Sequence, residues 1–439
     1  MNKAQASLLW LGASISISEL VAGSLLAPLG FAKATAAIVA GHLVGGVLFG
    51  LAGLVSWTGK KNAMESAACV FGSRGGSLIA LCNVVQLLGW TVIMVVQAAR
   101  AMHGILPAAP FSLLALALSA LTLVWALAFG SPARALNGVV VCLLALLCAL
   151  LFAESFFPVV AGVAPSPGAG EGMSFFLAVE LSVAMPVSWL PLVGDYAKDA
   201  SSKAAASVVP AAAYFAGSVL MYLFGAHIAI AAGGDFFALL AASRFRFAAC
   251  AVVALSTLTT AFLDLHSAAV SARFFAVAYG AKPATYALRL QAAFPRFGRF
   301  FGSGLRVRGL RSSMKTARSP TTLPLLAIGA AALALSVFFP VERYESLLEL
   351  FLLAIGSVFA PVYTVVILHW AAAARGAPPA KKAPAALPAA CAAACGIAAY
   401  QISARLGFPL PTAPCIAATI VFYASMTLCL PFNKRTGDT

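Results

Sequence analysis

Charge is what this sequence has least of. Only 9% of its 439 residues are Asp, Glu, Lys or Arg, against roughly 25% in soluble globular domains. With 62% hydrophobic residues beside that deficit, a chain folded mainly in water is excluded. No HExxH, GxSxG or Cys/His cluster is present, which argues against a membrane-embedded enzyme. No repeated filter motif of a channel stands out either. The nine cysteines show no CxxC spacing, Cys391 and Cys395 being four apart, so they read as small packing residues. A cleaved leader is disfavoured, because Ser14, Ser16, Ser18 and Glu19 interrupt the run that should be purely apolar.

What the chain does have is long apolar runs. A bilayer-spanning helix needs about 20 such residues, and stretches of this kind run near 5–29, 33–57, 77–104, 110–129, 134–158, 172–198, 204–231, 246–279, 321–339, 346–371, 384–404 and 411–431. They are too long and continuous for barrel strands, and lipid admits only helices or closed barrels. The expectation is an all-α integral membrane protein of about twelve spans. Net charge is +15, which in a soluble protein would suggest nucleic acid. With the N-terminus in the cytoplasm, however, 21 of the 28 Lys and Arg fall on the inner side. This is the positive-inside bias. It assigns the basicity to topology rather than to nucleic acid, and places both termini inside a bacterial cytoplasmic (inner) membrane.

Composition divides the chain further. The Pro/Ala-rich segment 371–390 separates a ten-helix core, residues 1–371, from two accessory helices at 384–431. Within 281–320 there are nine Lys/Arg and no acid, interleaved with Phe and Leu. That stretch reads either as an amphipathic segment on anionic lipid or as a solvated inner loop. The first span (GASISISELVAGSLLAPLG) and the sixth (AVELSVAMPVSWLPLVGDY) are interrupted by Ser, Gly or Pro. Breaks at matching positions of two five-helix halves, about 5–158 and 172–371, point to an inverted-repeat transporter. Taken singly, each could be a simple kink.

Polar residues inside the spans fall in stripes. On the third span Asn83, Gln86, Trp90 and Gln97 follow three- and four-residue steps and share a face. Amides that donate and accept, beside a flat indole, suit a planar heterocycle; the same amides could instead join helices. On the eighth span Ser256, Thr260, Asp264, Ser267 and Ser271 lie within an arc of about 80° at ~100° per residue, with Thr257 beside it. Hydroxyls there provide hard ligands for a small cation, and Asp264 could bond a substrate or carry a proton. Glu19, Glu180 and Asp264 have no base at comparable depth, so each needs a proton, a cation or other partners. His42, His227, His266 and His369 are scattered and read as structural histidines.

On the stretches ISISELVAGSLLAPLG, NAMESAACVFGSRGGSLIALCNVVQLLGWTVIM, PVSWLPLVGDY and STLTTAFLDLHSA, the chain resembles the nucleobase:cation symporter family. These are cytosine, allantoin and hydantoin permeases, and the resemblance is closest to the CytX-type branch of hydroxymethylpyrimidine transporters. It implies a LeuT-like fold with substrate held between spans 1, 3, 6 and 8. It also implies that Trp90 stacks on the ring with Gln86 or Gln97 beside it, and that Ser188 lies near the polar position of the sixth-span break. The family's second stacking aromatic aligns with Pro186, leaving Trp189 as its substitute. The family's Ser-Thr sodium pair matches Ser256 and Thr257, completed by carbonyls around Ser14 and Ile17. The ring-binding Asn aligns with Phe262, which shifts that role to Asp264, with Glu19 a further carboxylate for the substrate.

The expectation is a transporter, not an enzyme, without an organic cofactor. It would import a pyrimidine-like ring by alternating access with Na⁺, or alternatively H⁺, as coupling ion. A cation-coupled amino-acid permease of the same fold is the rival. The sequence leaves the exact ring and the oligomeric state open.

Overall fold

Short polar side chains start several of the helices. The computed structural model describes residues 1–128, 131–154, 173–232, 236–278, 321–374 and 386–429, and their regular structure is entirely helical. Asn2 opens α1 (Lys3–Ser14) by a capping box with Gln5, and Ser16 opens α2 (Ile17–Ser24) by accepting the Glu19 N–H. There follow α3 (Phe31–Gly59), α4 (Ala63–Ile105), α5 (Phe111–Ala128), α6 (Ser131–Glu154), α7 (Phe175–Val187) and α8 (Leu190–Ala197). Next come α9 (Lys203–Ala206), α10 (Val208–Ala232), α11 (Phe236–Ala242) and α12 (Arg246–Ala278). The chain ends with α13 (Thr322–Val337), α14 (Tyr344–Ala374), α15 (Ala386–Arg405) and α16 (Thr412–Cys429).

Of the expected stretches, seven hold a segment long and apolar enough to cross a membrane alone. The first holds α1 and α2, bent by 51°, and the remaining four hold the shorter apolar helices α5, α6, α13 and α16. Three boundaries differ from expectation. The third-span helix begins at Ala63, before the expected 77, and turns at Gly72, whose φ of 72° is a backbone region that glycine enters without steric cost. The sixth span is interrupted at Ser188–Trp189 yet runs as one 23-residue segment, Phe175–Ala197, instead of a bent pair. Tight bonds from Trp189 N to Pro186 O and from Leu192 N to Trp189 O carry the axis through. Finally, the ends of the Pro/Ala segment, 371–374 and 386–390, belong to α14 and α15. Its centre, and the basic stretch 281–320, lie outside the described residues.

Packing sorts the spans into two groups. α3 lies on α7 and α8, and α10 lies on α1, α2 and α3; opposite them, α4 runs along α12, with α5 and α13 against both. α14 touches both groups, and α15 and α16 pair and pack on α14. The N-terminal amine donates to the Asp199 carbonyl, Trp57 Nε1 to that of Ala200 and Lys60 Nζ to that of Lys198. The N-terminus, the second-to-third connection and the sixth-to-seventh connection thus share one end of the bundle.

The first span approaches the seventh backbone to backbone. A Cβ on Gly225 would overlap the Leu20 carbonyl oxygen, and one on Gly23 would overlap the Tyr222 backbone. Small residues allow such contact where lipid gives helices no hydrophobic reason to associate. Gly225→Val should therefore lower the melting temperature of the purified protein, by an overpacking cost of about 1–3 kcal/mol. Gly46→Val, at a position with open space around it, should leave it nearly unchanged; equal melting of the two variants would refute the close-approach argument.

Candidate substrate site

The first-span break, the sixth-span break and the facing helices α4 and α12 meet around one cavity. Its empty space, the opening included, is about 410 Å³. Five of the expected substrate residues line it: Glu19 from α2, Trp90 from α4, Ser188 and Trp189 from the sixth-span break, and Asp264 from α12. Residues from four separate spans converge here because both breaks and both polar stripes are turned to the same side.

The two carboxylates differ in their surroundings. Asp264 is 5% exposed, and its Oδ2 is buried with no hydrogen-bond partner. Glu19, 2% exposed, is fully engaged: Tyr214 Oη donates to Oε1, and Ser218 Oγ lies 2.5 Å from Oε2. Trp90 is buried, and the Phe351 ring of α14 meets it edge to face at 5.2 Å. The Trp189 indole donates to Tyr214 Oη at 2.9 Å and meets Trp10 at 5.6 Å.

The amides are placed differently from the expectation. Neither Gln86 nor Gln97 lines the cavity. Pro191 has no N–H and Leu192 N bonds to Trp189 O, so the Ser188 carbonyl loses its helical donor; Gln86 Nε2 supplies one at 2.7 Å. Gln86 also donates to Asn83 Oδ1, and Asn83 Nδ2 donates to Ser271 Oγ on α12. Gln97 Nε2 donates to Tyr344 Oη at 2.7 Å while its Oε1 accepts from Ser18 Oγ at 3.0 Å. In this structure both amides bond to protein groups.

For the expected cation residues the structure gives local bonds. The Thr257 hydroxyl donates to the Val253 and Ala254 carbonyls, and the Ser14 hydroxyl to that of Leu11. Ser256 is buried and its carbonyl accepts from Thr260 Oγ1. Ile17 is the first residue of α2, which touches α12. Sequence reasoning missed Ser16, Ser18, Met94 and Met185 in the cavity wall, and Tyr214, Ser218 and His42 behind it. Glu180 lies elsewhere: its oxygens accept from Thr412 N at 2.5 Å and Thr412 Oγ1 at 2.6 Å.

The sequence pattern of the family described as "permease for cytosine/purines, uracil, thiamine, allantoin" matches residues 2–282. The chain belongs to this family. It is a multi-pass membrane transporter of the nucleobase–cation symport family, not an enzyme. No curated protein sequence matches it. Among solved structures, the permease resembles Mhp1, a nucleobase-cation-symport-1 family transporter, in a closed conformation with bromovinylhydantoin bound. That match has 15% identity and a TM-score of 0.66, over 98% of this chain and 92% of that one. The inward-facing conformation of Mhp1 matches with 14% identity and a TM-score of 0.66, over 97% and 90%. A manganese transporter of Eremococcus coleocola matches with 14% identity and a TM-score of 0.52, over 96% and 94%. These likenesses establish the LeuT-like fold of Mhp1.

Gln86→Leu should leave the Ser188 carbonyl buried without a donor and cost about 1–3 kcal/mol. The melting temperature of the ligand-free protein is the measurement; an unchanged value would refute the repair role.

Proposed function

We propose that the permease imports a small amino-bearing pyrimidine-like ring, hydroxymethylpyrimidine or cytosine, by cation symport with alternating access. The observation that carries this reading is Asp264 Oδ2, buried and without a partner beside a cavity that Trp90 also lines. A buried acceptor left unpaired is costly, and when ionised Asp264 can only accept. A ring carrying an amino group meets it with N–H donors while its face lies on the indole.

The hydroxyls in the wall strengthen the argument. Ser18 donates to Gln97, Ser188 to the Met185 carbonyl and Thr260 to the Ser256 carbonyl. Each of these three has spent its proton and offers only lone pairs to the cavity, whereas Ser16 accepts from Glu19 N. These three positions favour a donor-rich ring over one that presents mainly carbonyls. Trp189 and Ser188 close the sixth-span side, and Glu19 the first-span side. For the coupling ion, the proposal is Na⁺ between the Ser256 and Thr257 oxygens and carbonyls around Ser14 and Ile17. An ion there would tie α12 to the first-span break and favour the same conformations as the ring.

In the same reading, residues 1–371 form the core, with repeats at about 5–158 and 172–371, and 384–431 the accessory pair. Both termini lie on the cytoplasmic side of a bacterial inner membrane, and 281–320 is a basic inner loop within reach of anionic lipid. The clustering of Met1, Lys60 and Lys198 at one end supports this orientation.

A thermal-shift screen of purified protein against pyrimidines, purines and amino acids, with and without sodium, tests the class. Amino-bearing pyrimidines should stabilise it; stabilisation by amino acids and by no ring would overturn the reading. Trp90→Ala should weaken ring binding about 5–150-fold, the equivalent of the roughly 1–3 kcal/mol of base–aromatic stacking, and unchanged affinity would sink the stacking role. Replacing Ser256 and Thr257 together by Ala should abolish sodium dependence of uptake. Retained sodium dependence would move the ion site elsewhere.

A further inference from the structure

The third-span helix is too long to be one rigid rod. At ~1.5 Å per residue α4 would extend about 65 Å, roughly twice the hydrocarbon core of a bilayer. It is divided at Gly72, whose φ of 72° and ψ of 175° lie in a region that is essentially glycine's alone. Space does not require glycine there, since a Cβ would rest 3.5 Å from that of Ala386, an ordinary contact. The dihedrals do. Ahead of the turn lies an arm, residues 63–71. Beyond it the span proper begins, with Ser77 Oγ donating to the Ser73 carbonyl at 2.7 Å.

The arm and the span are fastened to different partners. At the start of the arm, Asn62 and Glu65 form a capping box, and Ala63 N donates to Asp195 Oδ1 on α8 at 3.3 Å. A Cβ on Gly194 of α8 would lie 2.7 Å from Ala63 N and 2.3 Å from Ser56 Oγ of α3, so the three pieces touch without room to slide. Lys61 N also donates to the Ser56 carbonyl. Met64, Ala67, Val70 and Phe71 of the arm are buried in the main apolar core, while Glu65 and Cys69 are exposed. α3 and α8 belong to the first packing group. The span, by contrast, runs along α12 in the second group and is bonded to it through Asn83 and Ser271.

We propose that Gly72 is a joint: the arm travels with α3 and α8, the span travels with α12, and the change of angle between the groups is taken up in the Gly72 backbone. That the groups move rests on the proposed transport cycle; the position of the joint does not. Gln86 holds the sixth-span break to α4 at the level of the cavity, so relative motion is a tilt about that level. Gly72 lies about 21 Å along the helix from Gln86, and a tilt of ~10° would displace it by roughly 4 Å against α8. The bond from Ala63 to Asp195 cannot stretch so far. A helix continuous through residue 72 would have to break that bond and lift the buried face of the arm. Two free dihedrals at Gly72 keep both in place while the span tilts.

Three distances between pairs of spin labels test this in the purified full chain. One label sits on Cys69, the exposed native cysteine of the arm, the other cysteines being replaced by alanine. The others are placed by Lys203→Cys on α9, which packs on α1, α3, α8 and α10, and by Val85→Cys on an exposed position of the span. With Gly72 intact and no ligand, the distribution from Cys69 to Val85 should be wider than that from Cys69 to Lys203. Equal or reversed widths would overturn the proposal. Gly72→Ala should shift the Cys69–Val85 and Lys203–Val85 distances together and leave Cys69–Lys203 in place; a shift in Cys69–Lys203, or no shift in any pair, would overturn it. If that variant does not fold, the widths decide. On adding sodium and cytosine, Lys203–Val85 and Cys69–Val85 should change together while Cys69–Lys203 holds, and a change in Lys203–Val85 alone would refute the joint. If no distance responds to either, the ring-and-cation reading fails while the ligand-free distances still decide the joint.

Discussion

Backbone inside hydrocarbon has no water to fall back on, so a spanning helix can be interrupted only where protein supplies the missing bonds. The cavity of this permease is flanked by two such repairs. In the first span the Glu19 N–H turns to the Ser16 hydroxyl instead of continuing the helical ladder across the 51° bend. In the sixth, Gln86 reaches from α4 to the Ser188 carbonyl. The second repair reaches further than the break itself. Gln86 is bonded to Asn83, and Asn83 to Ser271, so the sixth span, α4 and α12 are registered against one another by the amide that mends the backbone. Trp90 lies one turn beyond Gln86, so its place in the cavity wall depends on that repair.

How much of this could be read from sequence follows from which properties are local. Apolar length is local, and the helices lie in the expected stretches. Breaks are nearly local: Ser and Pro in spans one and six marked both, though not that the sixth would keep its axis, since that depends on how the bonds around Pro191 rearrange. Helical spacing put Trp90 and Asp264 on polar faces, and both line the cavity. It could not say where Gln86 and Gln97 point. An amide on a polar face goes to a ligand or to a neighbour, and the choice depends on which carbonyl or hydroxyl the facing helix leaves unpaired. Tyr214 and Ser218, four apart on α10, share a face; nothing near them in the chain announces Glu19 or His42 opposite.

Glu180 illustrates the same limit from another side. Its lack of a basic partner was plain, but the partner it has is 232 residues away, at the start of α16. A helix start carries orphan N–H groups and a partial positive charge. The carboxylate meets both needs, so the last helix pair is keyed into the sixth span instead of merely resting on α14. Glu19 and Glu180, neither with a basic partner, are met by hydroxyls and an amide N–H, which bind a carboxylate without fixing its charge.

Gln97 is bonded at both ends, to Ser18 on the far side of the first-span break and to Tyr344 at the head of α14. The guanidinium of Arg100, one turn further on, lies over the rings of Phe237 and Tyr344 at 4.4 and 5.1 Å. One side chain of α4 thereby clasps two helices that have few contacts of their own. A clasp of this kind resists partial opening: if α2 alone drew back, the amide oxygen would lose its Ser18 donor. Motion of the first span and the tenth is therefore expected to be concerted, with α4 as the fixed post on which both are hung.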